Sequence, residues 1–281
     1  MRKIKITSLV VIFLLLSCSE KKLEDPISGY NQIVTKYTEI EQLISKEAND
    51  TFYVYIRLPK HYSKTNKRYP VLYLLDGDIS FNMATSVIRY LQYGKHIPDI
   101  IIAAPAYGTM MNDEEINYRE RDYTISQIER FSGSGEAEKY LKFFKNELIP
   151  RIDSLYRTDS KRILNGFSLG GLFALYTMVK EPDLIDNFII GSPYLKNDIE
   201  FLEKTTKILP SFNNRKRLFI SVGEFEDNED YHEPIDRMLD ILSNKKNIKV
   251  MFRKFEKGTH FTTPSEALAY GLKFVFDGDN R

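Results

Sequence analysis

The chain has 281 residues, 42% of them hydrophobic, with 18 Tyr, 18 Phe, no Trp, one Cys and a net charge of +1. That is enough apolar material for one sizeable core, and α/β folds of this length are often a single domain. A charge so near zero gives no nucleic-acid surface, and a lone cysteine excludes an intramolecular disulfide.

In chain order, Met1 to Lys5 is basic and Leu9 to Leu16 is continuously apolar. The apolar run is shorter than the ~20 residues that span a bilayer. It ends in Leu15-Leu16-Ser17-Cys18. A basic and apolar leader closing in Leu-x-Ser-Cys resembles a bacterial lipoprotein signal, against the plainer reading of a secretory leader with an incidental cysteine. The resemblance implies cleavage before Cys18, lipidation of Cys18 and a membrane-anchored place in the bacterial cell envelope. The expected division is then 1–17 signal peptide, 18–45 tether and first-strand region, and 46–281 main domain. Loss of a leader with Arg2, Lys3 and Lys5 changes the net charge to −2, which is no better suited to nucleic acid.

Thr35 to Ser45 reads as a first strand, and Thr51 to Pro59 is rich in β-formers until proline ends it. Val71 to Leu75 is fully apolar, as a buried parallel strand is. Asp76-Gly77-Asp78 ends it, and Ile79 to Tyr93 reads as a helix. Ile97 to Pro105 is the next buried strand. Ala106 to Gly135 has no clear period, and a loop of that length is usually functional or disordered. Glu136 to Tyr156 reads as a helix kinked or broken near Pro150. Further along, Phe188 to Pro193, Arg217 to Gly223 and Ile248 to Phe255 read as strands. Asp198 to Leu209, Pro234 to Ser243 and Ser265 to Phe276 read as helices. The alternation predicts an α/β fold, a mostly parallel central sheet with helices on both faces.

The centre of the chain is Ile163-Leu-Asn-Gly-Phe-Ser168-Leu-Gly-Gly-Leu-Phe-Ala-Leu-Tyr176. A short apolar run, a G-x-S-x-G turn and a helix-forming run follow one another, the context a nucleophile elbow requires. The turn is strained and needs small neighbours, which Gly166, Gly170 and Gly171 supply. Ser168 is therefore the candidate nucleophile, at a helix N-terminus that favours negative charge.

With Tyr156 to Asp159, Pro70 to Asp78 and Glu147 to Pro150, this stretch resembles an esterase family of α/β-hydrolases. That family includes siderophore esterases, feruloyl and acetyl-xylan esterases and S-formylglutathione hydrolases, and the siderophore-esterase-like branch looks nearest. The similarity runs from about Thr51 to about Phe276. It implies an α/β-hydrolase fold and a serine esterase that needs no cofactor.

In such hydrolases the triad follows the chain order serine, acid, histidine. His61 and His96 precede Ser168, and His232 lies too close to the acid strand, so His260 is the expected base. The acid should follow the strand ending at Val222; Glu224, Glu226 and Asp227 all qualify by position. The family spacing Gly-x-x-acid favours Glu226, after Gly223. One oxyanion donor is the backbone N–H of Leu169, and the resemblance places the other at Asp78. Gly133-Ser-Gly135 is not a dinucleotide loop, no P-loop lysine follows Gly171, and the acidic run from Glu224 to Asp230 fits no metal loop.

The 106–135 segment leaves the strand edge that carries the elbow and should select the substrate. Its Tyr118 to Thr124 stretch resembles one in siderophore-esterase-like relatives, with Arg121 as the expected polar anchor, against a structural pairing of Arg121 with Glu120 or Asp122. The whole reading is an envelope-anchored serine esterase acting on a small-molecule ester, either a siderophore trilactone or an acyl or feruloyl ester of a glycan. A non-catalytic or acyl-transferring lipoprotein on the same scaffold is the alternative.

Overall fold

The computed structural model describes residues 35–109, 116–209 and 212–277. The signal peptide, Cys18 and the start of the tether lie outside the described residues. Among the described residues, eight strands form one sheet in the order β1-β2-β4-β3-β5-β6-β7-β8. They are β1 (Thr38–Ser45), β2 (Asp50–Arg57), β3 (Tyr69–Leu74), β4 (Ile101–Ala106), β5 (Thr158–Phe167), β6 (Asn187–Gly191), β7 (Lys216–Gly223) and β8 (Ile248–Phe255). β1 and β2 pair antiparallel, as do β2 and β4, and every pairing from β4 to β8 is parallel.

The apolar run of β3 explains how the sheet is buried twice. Successive side chains of a strand face opposite ways. Val71, Tyr73 and Leu75 enter one core, whereas Leu72 and Leu74 enter the other. The second core is roofed by α1 (Gly77–Tyr93) and α8 (Pro264–Val275). The first is covered by α3 (Ala137–Phe143), α4 (Ile149–Leu155), α5 (Leu169–Lys180), α6 (Ile199–Ile208) and α7 (Glu233–Leu242). Aromatic rings fill much of it: Phe52 stacks on Phe143 at 4.3 Å, and Tyr140 meets Phe173 edge-on at 5.1 Å.

Three expectations are refined. The helix over 136–156, expected to be kinked or broken near Pro150, runs on through it and departs from α geometry just before it. Its middle, Phe144–Leu148, widens into a π turn, with the N–H of Ile149 donating to the carbonyl of Phe144. The wider turn accommodates a proline that has no N–H to give and would crowd the preceding turn. The 106–135 segment is not without structure; it carries the short helix α2 (Arg119–Tyr123). Finally, α1 starts at Gly77, so Asp78 belongs to its first turn instead of to a free-standing turn.

This strand order locates the site. From β3 the chain moves outward to β4, and from β5 it moves the opposite way to β6. The helices that follow the adjacent strands β3 and β5 thus lie on opposite faces of the sheet. Such a reversal opens a crevice beyond the carboxyl ends of the two strands. Asp76-Gly77-Asp78 and Gly166-Phe-Ser168 sit at those ends.

Candidate active site

Ser168 lies between β5 and α5 with φ 58° and ψ −118°, a conformation that costs a non-glycine residue about 1–3 kcal/mol. Backbone bonds hold it there: its N–H donates to Gly191, and its carbonyl accepts from Leu172 and Tyr194. The tightness of the turn explains Gly166. A Cβ at that position would stand 2.1 Å from the carbonyl oxygen of Gly170. Leu169, the first residue of α5, presents its N–H at the mouth of the elbow.

The loop after β3 packs against this turn, since a Cβ on Gly170 would meet Asp76 Oδ2 at 3.0 Å. Asp76 takes the left-handed conformation, and its N–H donates to the Tyr123 hydroxyl. Its carboxylate accepts from Arg119 Nε at 2.8 Å and NH2 at 3.2 Å, and the same NH2 reaches the carbonyl of Phe167. Arg119 thus ties the β3 loop to the residue before Ser168. The Asp78 carboxylate accepts from the Tyr55 hydroxyl and from the N–H of Tyr107, which fixes the first turn of α1. Beside it a cavity of about 150 Å³ is lined by Asp76, Asp78, Ile79, Tyr107, Ile116 and Asn117 among others.

His260 and Glu226 come from the loops after β8 and β7. The two loops lie side by side: Glu224 N–H donates to Phe255, and Phe225 N–H to Gly258. A Cβ on Gly223 would meet the Gly258 carbonyl at 2.6 Å, so glycine is needed for the approach. Glu226 Oε1 stands 3.5 Å from His260 Nδ1, with the carboxylate side chain 1% exposed and the imidazole 21%. Glu226 Oε2 and His260 Nδ1 are buried and carry no hydrogen bond. The rival acids face elsewhere. Asp227 caps the next turn by accepting from the N–H of Asp230, and Glu224 accepts from the N–H of Lys257. Of the three carboxylates open by position, the structure brings Glu226 to His260.

Two residues here have no signal in the sequence. Ser192, buried and at φ 39°, donates its hydroxyl to Glu226 Oε1 at 2.7 Å. It follows β6 by one residue, so only the sheet order brings it to the acid loop. Tyr231 lies in the π turn Asn228–His232, and its hydroxyl lies near the Ser168 side chain. Its ring is 5.0 Å from that of His260, which also faces Phe167 at 4.9 Å. Burial, helped by the charge of Glu226, pushes the Tyr231 phenol up to about 12, so it stays neutral at working pH.

Arg121 is held by partners away from Ser168. Its guanidinium pairs with Asp50 at 2.8 Å and with Asp122 at 2.7 Å, and it lies over the Tyr118 ring at 4.6 Å. These are the contacts of a structural pin between β2 and α2. No group of three or more His, Cys, Asp or Glu among the described residues is disposed to hold a metal ion.

Residues 45–267 match the model of the family described as "Putative esterase". The chain belongs to this esterase family. It is a carboxylic ester hydrolase with the α/β-hydrolase fold. It is 28% identical over 265 residues to the ferri-bacillibactin esterase BesA of Bacillus subtilis, covering 86% of this chain and 90% of that one. Among solved structures it is similar to the BES protein of Bacillus cereus, with TM-score 0.76 and 24% identity over 87% of this chain and 97% of that one. An IroE-like serine hydrolase of Shewanella oneidensis gives the same TM-score and identity, covering 85% and 80%.

Proposed function

We propose that Ser168, His260 and Glu226 form the catalytic triad of this esterase and act through an acyl-enzyme. The observation that carries the assignment is the meeting of Glu226 Oε1 and His260 Nδ1 at 3.5 Å beside a serine held in the elbow conformation. His260 Nε2 takes the Ser168 proton as Oγ attacks the ester carbonyl, while Glu226 orients the ring and stabilises the imidazolium. The buried Nδ1 and carboxylate, each with an unused hydrogen-bonding atom, draw together as that charge forms; such contacts are commonly long in unliganded enzymes. The N–H groups of Leu169 and Asp78, at the first turns of α5 and α1, receive the oxyanion; each donor is worth ~10²–10³ in rate. The alcohol departs with the proton from His260, and water then attacks the acyl-serine by the same route in reverse.

The substrate reading is a siderophore ester of the trilactone kind. It is supported by similarity to the ferri-bacillibactin esterase. It is also supported by the 150 Å³ cavity beside Asp78, about the size of a cavity known to admit benzene and so suited to one aromatic ring. Cys18, closing a leader of lipoprotein type, would attach the enzyme to the cell envelope. The test is a substrate panel of catechol trilactone, feruloyl and acetyl esters, with Ser168→Ala and His260→Ala as blanks. The trilactone should give the highest kcat/KM, and both variants should fall to within ~10³–10⁴ of the uncatalysed rate. Faster turnover of the feruloyl ester would move the substrate to acylated glycans. Wild-type rates in either variant would overturn the triad.

A further inference from the structure

The arginines of the 106–135 segment differ in their partners. Arg119 is paired with Asp76, Arg121 with Asp50 and Asp122, and Lys196 with Asp230. Arg130 is the exception: among the described residues no carboxylate pairs with it, although it is exposed. It is nonetheless held in place. Its guanidinium lies 4.7 Å from the centre of the Phe131 ring and 5.5 Å from that of Tyr194, and its NH2 donates to the Tyr194 hydroxyl at 3.2 Å.

Tyr194 leads directly to the nucleophile. Its N–H donates to the Ser168 carbonyl, and its ring meets that of Tyr231 edge-on at 5.8 Å. Tyr231 in turn lies near the Ser168 side chain and packs beside His260. Arg130 therefore caps a wall of two phenol rings that begins at the reacting serine. Neither ring brings a carboxylate, so no acid in the wall pairs with the guanidinium. A fixed cation at the end of an aromatic wall suits a ligand with a ring for the wall and negative oxygens for the cap.

Resting on the esterase reading above, we propose that Arg130 is a substrate-positioning residue that binds an anionic aryl group of the ester, the role expected of Arg121 from sequence. The choice of arginine follows from their partners: Arg121 spends its donors on two carboxylates, whereas Arg130 spends one on a neutral hydroxyl.

The test uses two esters of one alcohol with the same shape, a 4-carboxybenzoyl and a 4-carbamoylbenzoyl ester. In the wild type the carboxylate should have the lower KM. Arg130→Ala should raise KM for the carboxylate ester about fivefold, the size expected of a solvent-facing charge contact, and change the carbamoyl ester less than twofold. Arg130→Lys should keep most of the difference, and added salt should shrink it. Equal losses on both esters, or no loss on either, would overturn the proposal. If Arg130→Ala is poorly soluble, Arg130→Gln reads the same ratio. The parent reading fails separately: if neither ester is turned over and a fluorophosphonate leaves Ser168 unlabelled, the esterase site itself is wrong and this proposal goes with it. Turnover and labelling with an unaltered ester ratio would sink Arg130 alone.

Discussion

Replacing Glu226 with Gln keeps the side chain's shape and an oxygen for the Ser192 hydroxyl, but removes one buried negative charge. In the resting enzyme a neutral imidazole gains little from that charge. If the proposed triad operates, His260 is an imidazolium 3.5 Å away in the transition state. At an effective dielectric near 20, two unit charges at that separation interact by about 5 kcal/mol. The rate should therefore fall by ~10³–10⁴, as it does when the orienting carboxylate of other serine triads is neutralised. The loss should lie in kcat, with KM little changed, because the ground state does not use the charge. Steady-state hydrolysis of a short-chain aryl ester measures both, with thermal unfolding as a check that the fold survives. Asp227→Asn and Glu224→Gln are the controls. Their carboxylates accept backbone N–H bonds on exposed turns, and neither should cost more than a few-fold. A Glu226→Gln enzyme within tenfold of wild type, or a crippling Asp227→Asn, would refute the reasoning.

Gly166→Ala puts a methyl group 2.1 Å from a backbone oxygen that has nowhere to go, so the elbow must open; soluble yield should drop and remaining protein should lose most turnover. Normal activity in this variant would mean the turn is looser than described. Arg121→Ala leaves the buried Asp122 with only the Tyr107 hydroxyl and should destabilise by about 2–3 kcal/mol, a fall of roughly 5–10 °C in Tm, with equal losses on charged and neutral esters. A selective loss on the anionic ester would restore Arg121 as the anchor. Cys18→Ser should abolish a lipid adduct visible by intact mass and release the protein from the membrane fraction, whereas wild-type protein with an unmodified Cys18 would count against the lipoprotein reading.

Where the sequence was legible, the chemistry left few options. A serine turn this tight admits only glycine at 166, and hydrolase chain order singles out His260 among four histidines, the one the structure sets beside Glu226. Buried parallel strands such as β3 announce themselves as unbroken apolar runs. What stayed hidden depends on residues far apart in the chain. Ser192 reaches Glu226 because β6 lies between β5 and β7, and Tyr231 reaches Ser168 through a π turn that no periodicity marks. The arginines of the 106–135 segment look alike in sequence. Their roles separate only when Asp76 and Asp50, from the ends of other strands, claim Arg119 and Arg121. Pro150 suggested a kink or break, and a helix that widens by one residue absorbs it.

The central claim, that Ser168 is an activated nucleophile, is tested most directly by a fluorophosphonate adduct located by peptide mass spectrometry. One adduct per chain is expected, on Ser168, formed within minutes in the wild type, strongly slowed in Glu226→Gln and absent from Ser168→Ala and His260→Ala. Rapid labelling of another residue, or labelling of Ser168 at the same rate without His260, would contradict it.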